Sequence, residues 1–171
     1  MVSKKMLKAL NKQIEMEGYA SFLYLSMASW CDLEGMEGCA QFMYRQSSEE
    51  HGHMMRIFNY LIEMDHKAVV PAIAKPPEDF ESVPALFELA YEHEQKVSAS
   101  INNLVNLAIS ENDHTTNVFL QWYVDEQREE EALMRLILDK VRLIGDGPQS
   151  LYFIDKELES INKAAAKGEA L

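Results

Sequence analysis

The sequence predicts an all-α protein, a four-helix bundle with one long crossover and a short fifth helix. Three observations lead to this fold class. Of the five prolines in the 171 residues, four lie outside four long stretches, and the fifth, Pro84, is the second residue of one of them. Within each stretch apolar residues recur every three or four positions, as on the buried face of a helix. The links between the stretches are short except for one, and the length suits a single domain over residues 1–171.

Four stretches have the helical periodicity, at about 4–33, 36–64, 83–110 and 114–143. The bundle therefore covers about 4–143. Leu33-Glu34-Gly35 joins the first helix to the second, and Glu111-Asn112-Asp113 joins the third to the fourth. Links this short place consecutive helices side by side and antiparallel.

The second and third helices are joined by a longer segment, HKAVVPAIAKPPEDFES, at residues 66–82. Seventeen extended residues reach at most about 60 Å, whereas a helix of about 28 residues is about 42 Å long. The segment can therefore run the length of the bundle, which leaves the second and third helices parallel.

The fifth helix is expected at about 149–165. Pro148 suits its first turn, and a short apolar stripe follows at Leu151, Ile154, Leu158 and Ile161. The polar tail AAAKGEAL, residues 164–171, is expected to fray.

Acidic residues outnumber basic ones by 28 to 16, which gives a formal net charge of −12. This charge argues against nucleic acid as a partner and favours small cations. No apolar run approaches the roughly 18 residues that span a bilayer, and no signal peptide is apparent, so we expect no membrane partner. Cys31 and Cys39 form no CxxC pair, which argues against a zinc ribbon or a rubredoxin-type iron site. A reducing, cytoplasmic setting is expected.

Each of the four apolar faces is interrupted near its middle by a glutamate: Glu17, Glu50, Glu94 and Glu130. The midpoints of similar helices share one layer of a bundle, so these carboxylates should meet there, together with His53. No lysine or arginine lies on any of the four faces. Because an uncompensated buried carboxylate costs several kcal/mol or becomes protonated, the cluster indicates bound cations. Carboxylates with one imidazole favour iron or manganese, and the number of ligands favours two ions with a shared carboxylate.

Four pieces of the sequence carry a family resemblance: EGYASFLYLSMASW at 17–30, EEHGH at 49–53, Glu94, and DEQREE at 125–130. Together they resemble the bacterial-type non-haem ferritins over nearly the whole chain. The resemblance implies a ferritin-like bundle and iron storage and detoxification. It implies a ferroxidase that oxidises Fe(II) to Fe(III) with dioxygen or hydrogen peroxide before ferric mineral is stored. It also implies a homo-oligomeric 24-mer shell, with the fifth helix at the four-fold axes.

The resemblance assigns a role to each matching residue of the di-iron centre. Glu17 and His53 would bind one iron, and Glu50 would bridge it to the second. Glu94 and Glu130 would bind the second iron.

The resemblance implies that two further residues lie beside the two irons. Gln127 would be a weak or outer partner, and Tyr24 an electron donor. A third iron position near the inner surface of the shell is matched by Glu49, Glu126 and Glu129, with Glu130 shared. Gln46 stands where a histidine is often found, which is expected to weaken this third position.

Two departures separate the chain from related families. Bacterioferritins carry a second Glu-x-x-His in the fourth helix, where this chain has Gln127 and Glu130. They also place a haem-ligating methionine directly after the bridging glutamate, where this chain has His51. We therefore expect iron and no haem. Rubrerythrins would add a cysteine-rich iron domain, which this sequence lacks.

Two other functions stay open at this stage. The chain could be a cage subunit that binds metal without oxidising it, although no expected ligand is missing. It could also be a di-iron oxygenase for an organic substrate, which would need a substrate pocket beside the metals.

Several conspicuous residues are interpreted as structural. Gly18 and Gly52 lie inside helices, where the close approach of a neighbouring backbone would explain them. A packing role is expected for Trp30 and Trp122, and Cys31 and Cys39 are expected to be buried. A surface position is expected for His51, His66, His93 and His114.

Overall fold

The computed structural model describes residues 2–166, and within that range it contains five helices and no strand. The helices are α1 (Lys4–Leu33), α2 (Glu37–Glu63), α3 (Val83–Ser110), α4 (His114–Ile144) and α5 (Ser150–Ala166). The predicted all-α bundle with a fifth helix is confirmed. Of the tail that was expected to fray, residues 167–171 lie outside the described range, so the prediction of one domain over 1–171 stays a prediction. No helix in the described range is long and apolar enough to cross a membrane.

The starts of α1, α3 and α4 follow from short polar side chains. Ser3, Ser82 and Asp113 each accept a hydrogen bond from the backbone N–H three residues later, at 3.0, 3.2 and 3.1 Å. This capping satisfies an N–H that has no partner inside the helix. Gly35, in the link after α1, has a φ of 75°, a left-handed conformation that glycine adopts without strain. These local signals fix the two hairpins, α1–α2 and α3–α4.

The crossover runs along α1. Four contacts follow in the same order on both segments: Val69 with Asn11, Ile73 with Gly18, Pro77 with Ser26, and Phe80 with Trp30. The chain therefore returns to the end of the bundle at which α2 began. As predicted, α3 starts there and runs parallel to α2.

Two apolar clusters fill the bundle, one towards each end. One cluster includes Leu23, Met27, Phe42, Phe87, Met134 and the inner face of α5. The other includes Met6, Leu10, Ile57, Leu61, Ile101 and Leu120. Between them lies a layer of buried polar side chains, which the candidate centre occupies.

The explanation expected for the two mid-helix glycines is wrong. A Cβ at Gly18 would meet side chains, Ile73 Cδ1 at 2.9 Å and Met54 Sδ at 3.1 Å, and a Cβ at Gly52 would meet nothing within 4 Å. The close backbone approach occurs at Gly38, where a Cβ would lie 2.2 Å from the carbonyl oxygen of Asp155. Gly38 therefore allows α5 to dock on the start of α2.

The surface position expected for His93 is also wrong, because its side chain is buried. The ring packs against Tyr19, with 5.6 Å between the ring centroids. Burial, and after it the positive charge of Lys96, lowers the pKa of His93 to about 4, which keeps the imidazole neutral.

Candidate metal centre

The four glutamates predicted to interrupt the apolar faces are all buried in the middle layer of the bundle. Glu17 and Glu50 are 1% exposed, Glu94 is 0% exposed and Glu130 is 6% exposed. Each comes from a different helix, since α1, α2, α3 and α4 present their inward faces at this depth. Among residues 2–166 no lysine or arginine lies within salt-bridge distance of any of the four.

Three of the predicted ligands converge closely. One oxygen each of Glu17 and Glu50 and one nitrogen of His53 lie within 4.8 Å of one another. Both carboxylate oxygens of Glu50 and the Oε2 atom of Glu17 have no hydrogen-bond partner within the described residues. Buried polar atoms are otherwise almost always paired. This set of unpaired anionic oxygens beside an imidazole has the donor types and spacing of a cation site.

The other two glutamates are held by neutral donors. Glu94 accepts hydrogen bonds from the Tyr24 hydroxyl at 2.5 Å and from Gln127 Nε2 at 3.1 Å. Glu130 Oε2 accepts one from Gln46 Nε2 at 3.1 Å. These two carboxylates lie outside the close group of three. Their hydrogen bonds hold them in the layer without supplying positive charge.

His53 lies between Glu50 and Glu126. Its Nδ1 atom is 3.4 Å from Glu50 Oε2, and its Nε2 atom is 3.5 Å from Glu126 Oε1. Burial alone would lower the pKa of His53, but the close contacts with the carboxyl groups of Glu126 and Glu50, together with nearby negative charge, raise it to about 11. In the metal-free protein the imidazole is therefore a cation that stands among the carboxylates.

Burial is the main cause of the shifted carboxyl pKa values. It raises the pKa of Glu17, Glu50 and Glu94 above the ordinary value. Burial, followed by the charges of Glu94 and Glu49, raises the pKa of Glu130 to about 8. Protons therefore neutralise part of the cluster when no metal is present, and an entering cation would displace them.

The three residues predicted for a third position form a more open group. They lie in a cleft of about 620 Å³ that is also lined by Arg45, Arg128 and Glu130. Glu49 is paired with Arg45 NH1, and Glu129 with Arg128 NH2 at 3.0 Å. Glu126 makes the contact with His53 described above. The structure thus places all three in one cleft with Glu130, where two of them are paired with arginines.

Sequence reasoning missed two residues of this region. Gln13 Nε2 donates to Glu17 Oε1 at 2.9 Å, and its position one turn before Glu17 was a signal for this contact. Arg45 lies one turn before Glu49, so the same spacing pointed to their pairing. Its further contact with α5 had no signal in the sequence.

Comparison with known proteins agrees with this geometry. Residues 7–144 match the family described as a ferritin-like domain. The bacterial non-heme ferritin of Campylobacter jejuni is 44% identical over 161 residues, covering 94% of this chain and 96% of the relative. A probable bacterial non-heme ferritin-like protein of Haemophilus influenzae is 42% identical over 165 residues, covering 96% and 100%. An open-pore ferritin from the archaeon Archaeoglobus fulgidus superposes with a TM-score of 0.90 at 45% identity, covering 92% of this chain and 96% of that one.

Proposed function

Because this chain belongs to the ferritin family, we propose that it stores iron and oxidises Fe(II) to Fe(III) at the centre between its four long helices. The observation that carries this proposal is the group formed by Glu17, Glu50 and His53. Its buried anionic oxygens have no cation of the protein's own apart from the histidine. Iron supplies the missing charge.

The proposed roles are those that the family resemblance assigns to these residues. Glu17 and His53 bind the first Fe(II), and Glu50, with both oxygens unpaired, bridges to the second. Glu94 and Glu130 bind the second ion on the other side. Glu94 keeps the Tyr24 hydroxyl as a hydrogen-bond donor.

Charge drives the chemistry that we propose. A cluster of carboxylates stabilises Fe(III) more than Fe(II), since the Coulomb attraction grows with the charge of the ion. The two Fe(II) ions give one electron each to dioxygen, which takes up two protons and leaves as hydrogen peroxide. With hydrogen peroxide as the oxidant, the same two electrons and two protons yield two water molecules. The buried carboxyl groups release protons when the metal binds.

Tyr24 is proposed as an additional electron donor. Burial, and after it the charge of Glu94, raises the pKa of Tyr24 far above its ordinary value, so the phenol stays protonated. Its hydroxyl proton points to Glu94, which can accept it when an electron leaves the ring. The side chain is fully buried, which protects an oxidised ring from solvent.

Assembly and cellular location are part of the same proposal. We propose a shell of 24 identical subunits in the cytoplasm that holds the ferric mineral inside. Exposed apolar side chains on α5 support assembly, because Leu151, Tyr152 and Phe153 are each more than half exposed in the single chain. The free, buried thiols of Cys31 and Cys39 agree with a reducing compartment. His51 after Glu50 supports a centre without haem.

Anaerobic loading with Fe(II), followed by a pulse of oxygen, tests the proposed function. We expect fast oxygen uptake in a fixed ratio to iron, with ferric iron retained in the protein fraction. Oxidation no faster than in buffer, with iron still bound, would instead identify a storage subunit without ferroxidase activity. Fast oxygen uptake without retained iron would identify a di-iron oxygenase.

A further inference from the structure

Arg45 is held at three points in the cleft of the third position. Its NH1 group donates to both oxygens of Glu49, at 2.8 and 3.1 Å. Its Nε group donates to Asn162 Oδ1 on α5 at 2.7 Å. The guanidinium also lies over the ring of buried Phe42, 5.2 Å from the centroid. Contacts with α2 on one side and α5 on the other therefore fix the direction of the charge.

The second arginine of the cleft, Arg128, has fewer contacts and is more exposed than Arg45. Arg128 contacts Glu129 through one nitrogen and one oxygen, and both side chains are 68% exposed. Arg45 and Glu49 are 22% and 38% exposed. Exposed single contacts of this kind contribute little, whereas the Arg45 guanidinium is less exposed, contacts both oxygens of Glu49 through NH1 and is anchored by Asn162. Arg45 is therefore the arginine that competes for a carboxylate of the third position.

An arginine keeps its charge at every pH that proteins tolerate. A cation that binds Glu49 therefore competes with Arg45, because protonation cannot remove the arginine charge. The third position then has a lower affinity than its four glutamates would give alone. Glu49 also lies next to the centre, because Glu130 lines the same cleft.

We propose that Arg45 is a positioning residue that holds Glu49 in the metal-free protein and releases it when Fe(II) enters the cleft. The third position consequently binds Fe(II) more weakly than it would without Arg45. The contact with Asn162 makes this exchange depend on the docking of α5. The inference rests on the third position included in the proposed function and adds the control of its affinity.

Anaerobic titration of the assembled, metal-free protein with Fe(II) tests this inference. Arg45→Gln is expected to tighten binding of the third Fe(II) per subunit by about tenfold, which is the scale of one charge-assisted pair. The affinity of the first two ions should stay within about twofold. Asn162→Ala keeps the charge of Arg45 but removes its hydrogen bond to α5. This variant should therefore also tighten binding of the third Fe(II), but by a smaller factor.

Two matched variants separate this role from other causes. Arg128→Gln removes the same charge from the same cleft and should change the third affinity by less than about twofold. Lys140→Met removes a different contact between α4 and α5, the ion pair of Lys140 with Glu157. It should leave the affinity for the third Fe(II) unchanged. Equal effects of Arg45→Gln and Arg128→Gln, or weaker binding in Arg45→Gln, would overturn the inference.

An anomalous map at the iron edge assigns each ion to its ligands. Two ions among the buried glutamates with none at Glu49, in both the original protein and Arg45→Gln, would overturn the inference and leave the ferroxidase proposal standing. An ion at Glu49 whose affinity increases in Arg45→Gln would support the inference. If oxidation in the same protein is no faster than in buffer, the ferroxidase proposal is contradicted.

Discussion

At the scale of single residues, the centre is defined by side chains that are costly to bury. Glu50 has two unpaired oxygens in a layer closed on both sides by apolar clusters. Removal of such a group from water is tolerated when a metal or a proton neutralises it. The same side chains therefore lower the stability of the metal-free protein and, in the proposed centre, would provide the affinity for iron.

The stability of the metal-free protein is expected to depend on pH through Glu130. The pKa of this carboxyl is raised from 4.5 to about 8 in the folded protein. Between these pH values the folded state binds more protons than the unfolded state, so stability falls as pH rises. Thermal unfolding of metal-free protein between pH 5 and about pH 8 should show a declining midpoint, and Glu130→Gln should flatten the decline.

His53 contributes in the same direction at higher pH. Its pKa is raised from 6.5 to about 11, so its stabilising effect is complete below pH 6.5 and is lost as pH rises towards 11. A midpoint that rises with pH in the metal-free protein would contradict both assignments.

Glu50→Ala tests the proposed bridging role directly. The change removes the only carboxylate proposed to contact both ions, so we expect the fast phase of Fe(II) oxidation to fall by at least about a hundredfold, as for loss of a group that acts in the transition state. Stopped-flow absorbance after anaerobic loading measures it. Glu63→Ala, an exposed position at the end of the same helix, should keep the original rate. An unchanged rate in Glu50→Ala would remove Glu50 from the mechanism.

At the scale of the helices, α5 depends on one glycine of another element. Gly38 lies in the first turn of α2, where the carbonyl of Asp155 comes too close for any Cβ. The Asp155 side chain also accepts a hydrogen bond from the backbone N–H of Cys39 at 2.9 Å. The start of α2 and the middle of α5 thus form one contact through backbone atoms.

Gly38→Ala is expected to destabilise the protein and displace α5, because a Cβ at 2.2 Å from backbone cannot be relieved by a rotamer change. We expect a loss of about 1–3 kcal/mol, as for overpacking in a core. Gly52→Ala is the matched control, since that position is open and alanine favours a helix interior by about 1 kcal/mol. Chemical denaturation of both variants measures the difference. Equal stabilities would show that α5 does not dock at Gly38.

At the scale of the whole molecule, the single chain leaves apolar side chains uncovered. Leu33, Val118 and Leu143 are more than 70% exposed, in addition to the aromatic pair on α5. Apolar surface of this kind marks contacts between proteins. The proposed shell would bury it against other subunits.

Phe153→Glu is expected to impair assembly, because the ring is 52% exposed in the chain and a charge there would be buried at an interface. Size-exclusion chromatography with light scattering should show a shift from the shell to smaller species. Lys156→Gln changes an exposed charged residue of the same helix and should leave assembly intact. Retention of the full shell by Phe153→Glu would place this part of α5 outside the interfaces.

The sequence by itself determined the helices, their inward faces and the layer of glutamates. These features depend on a local period of about 3.6 residues and on capping side chains, both of which are encoded within a few neighbouring residues. The direction of the crossover also followed from the sequence. The length of the crossover, compared with the length of the helices, is compatible with few topologies.

Only the tertiary structure decided which side chains meet across helices. It grouped Glu17, Glu50 and His53, and it placed Glu94 and Glu130 in hydrogen bonds with neutral donors. It also buried His93, moved the close backbone contact from Gly18 and Gly52 to Gly38, and attached Arg45 to α5. Periodicity gives the direction in which a side chain points but not the distance to its partner, which depends on how separate helices pack.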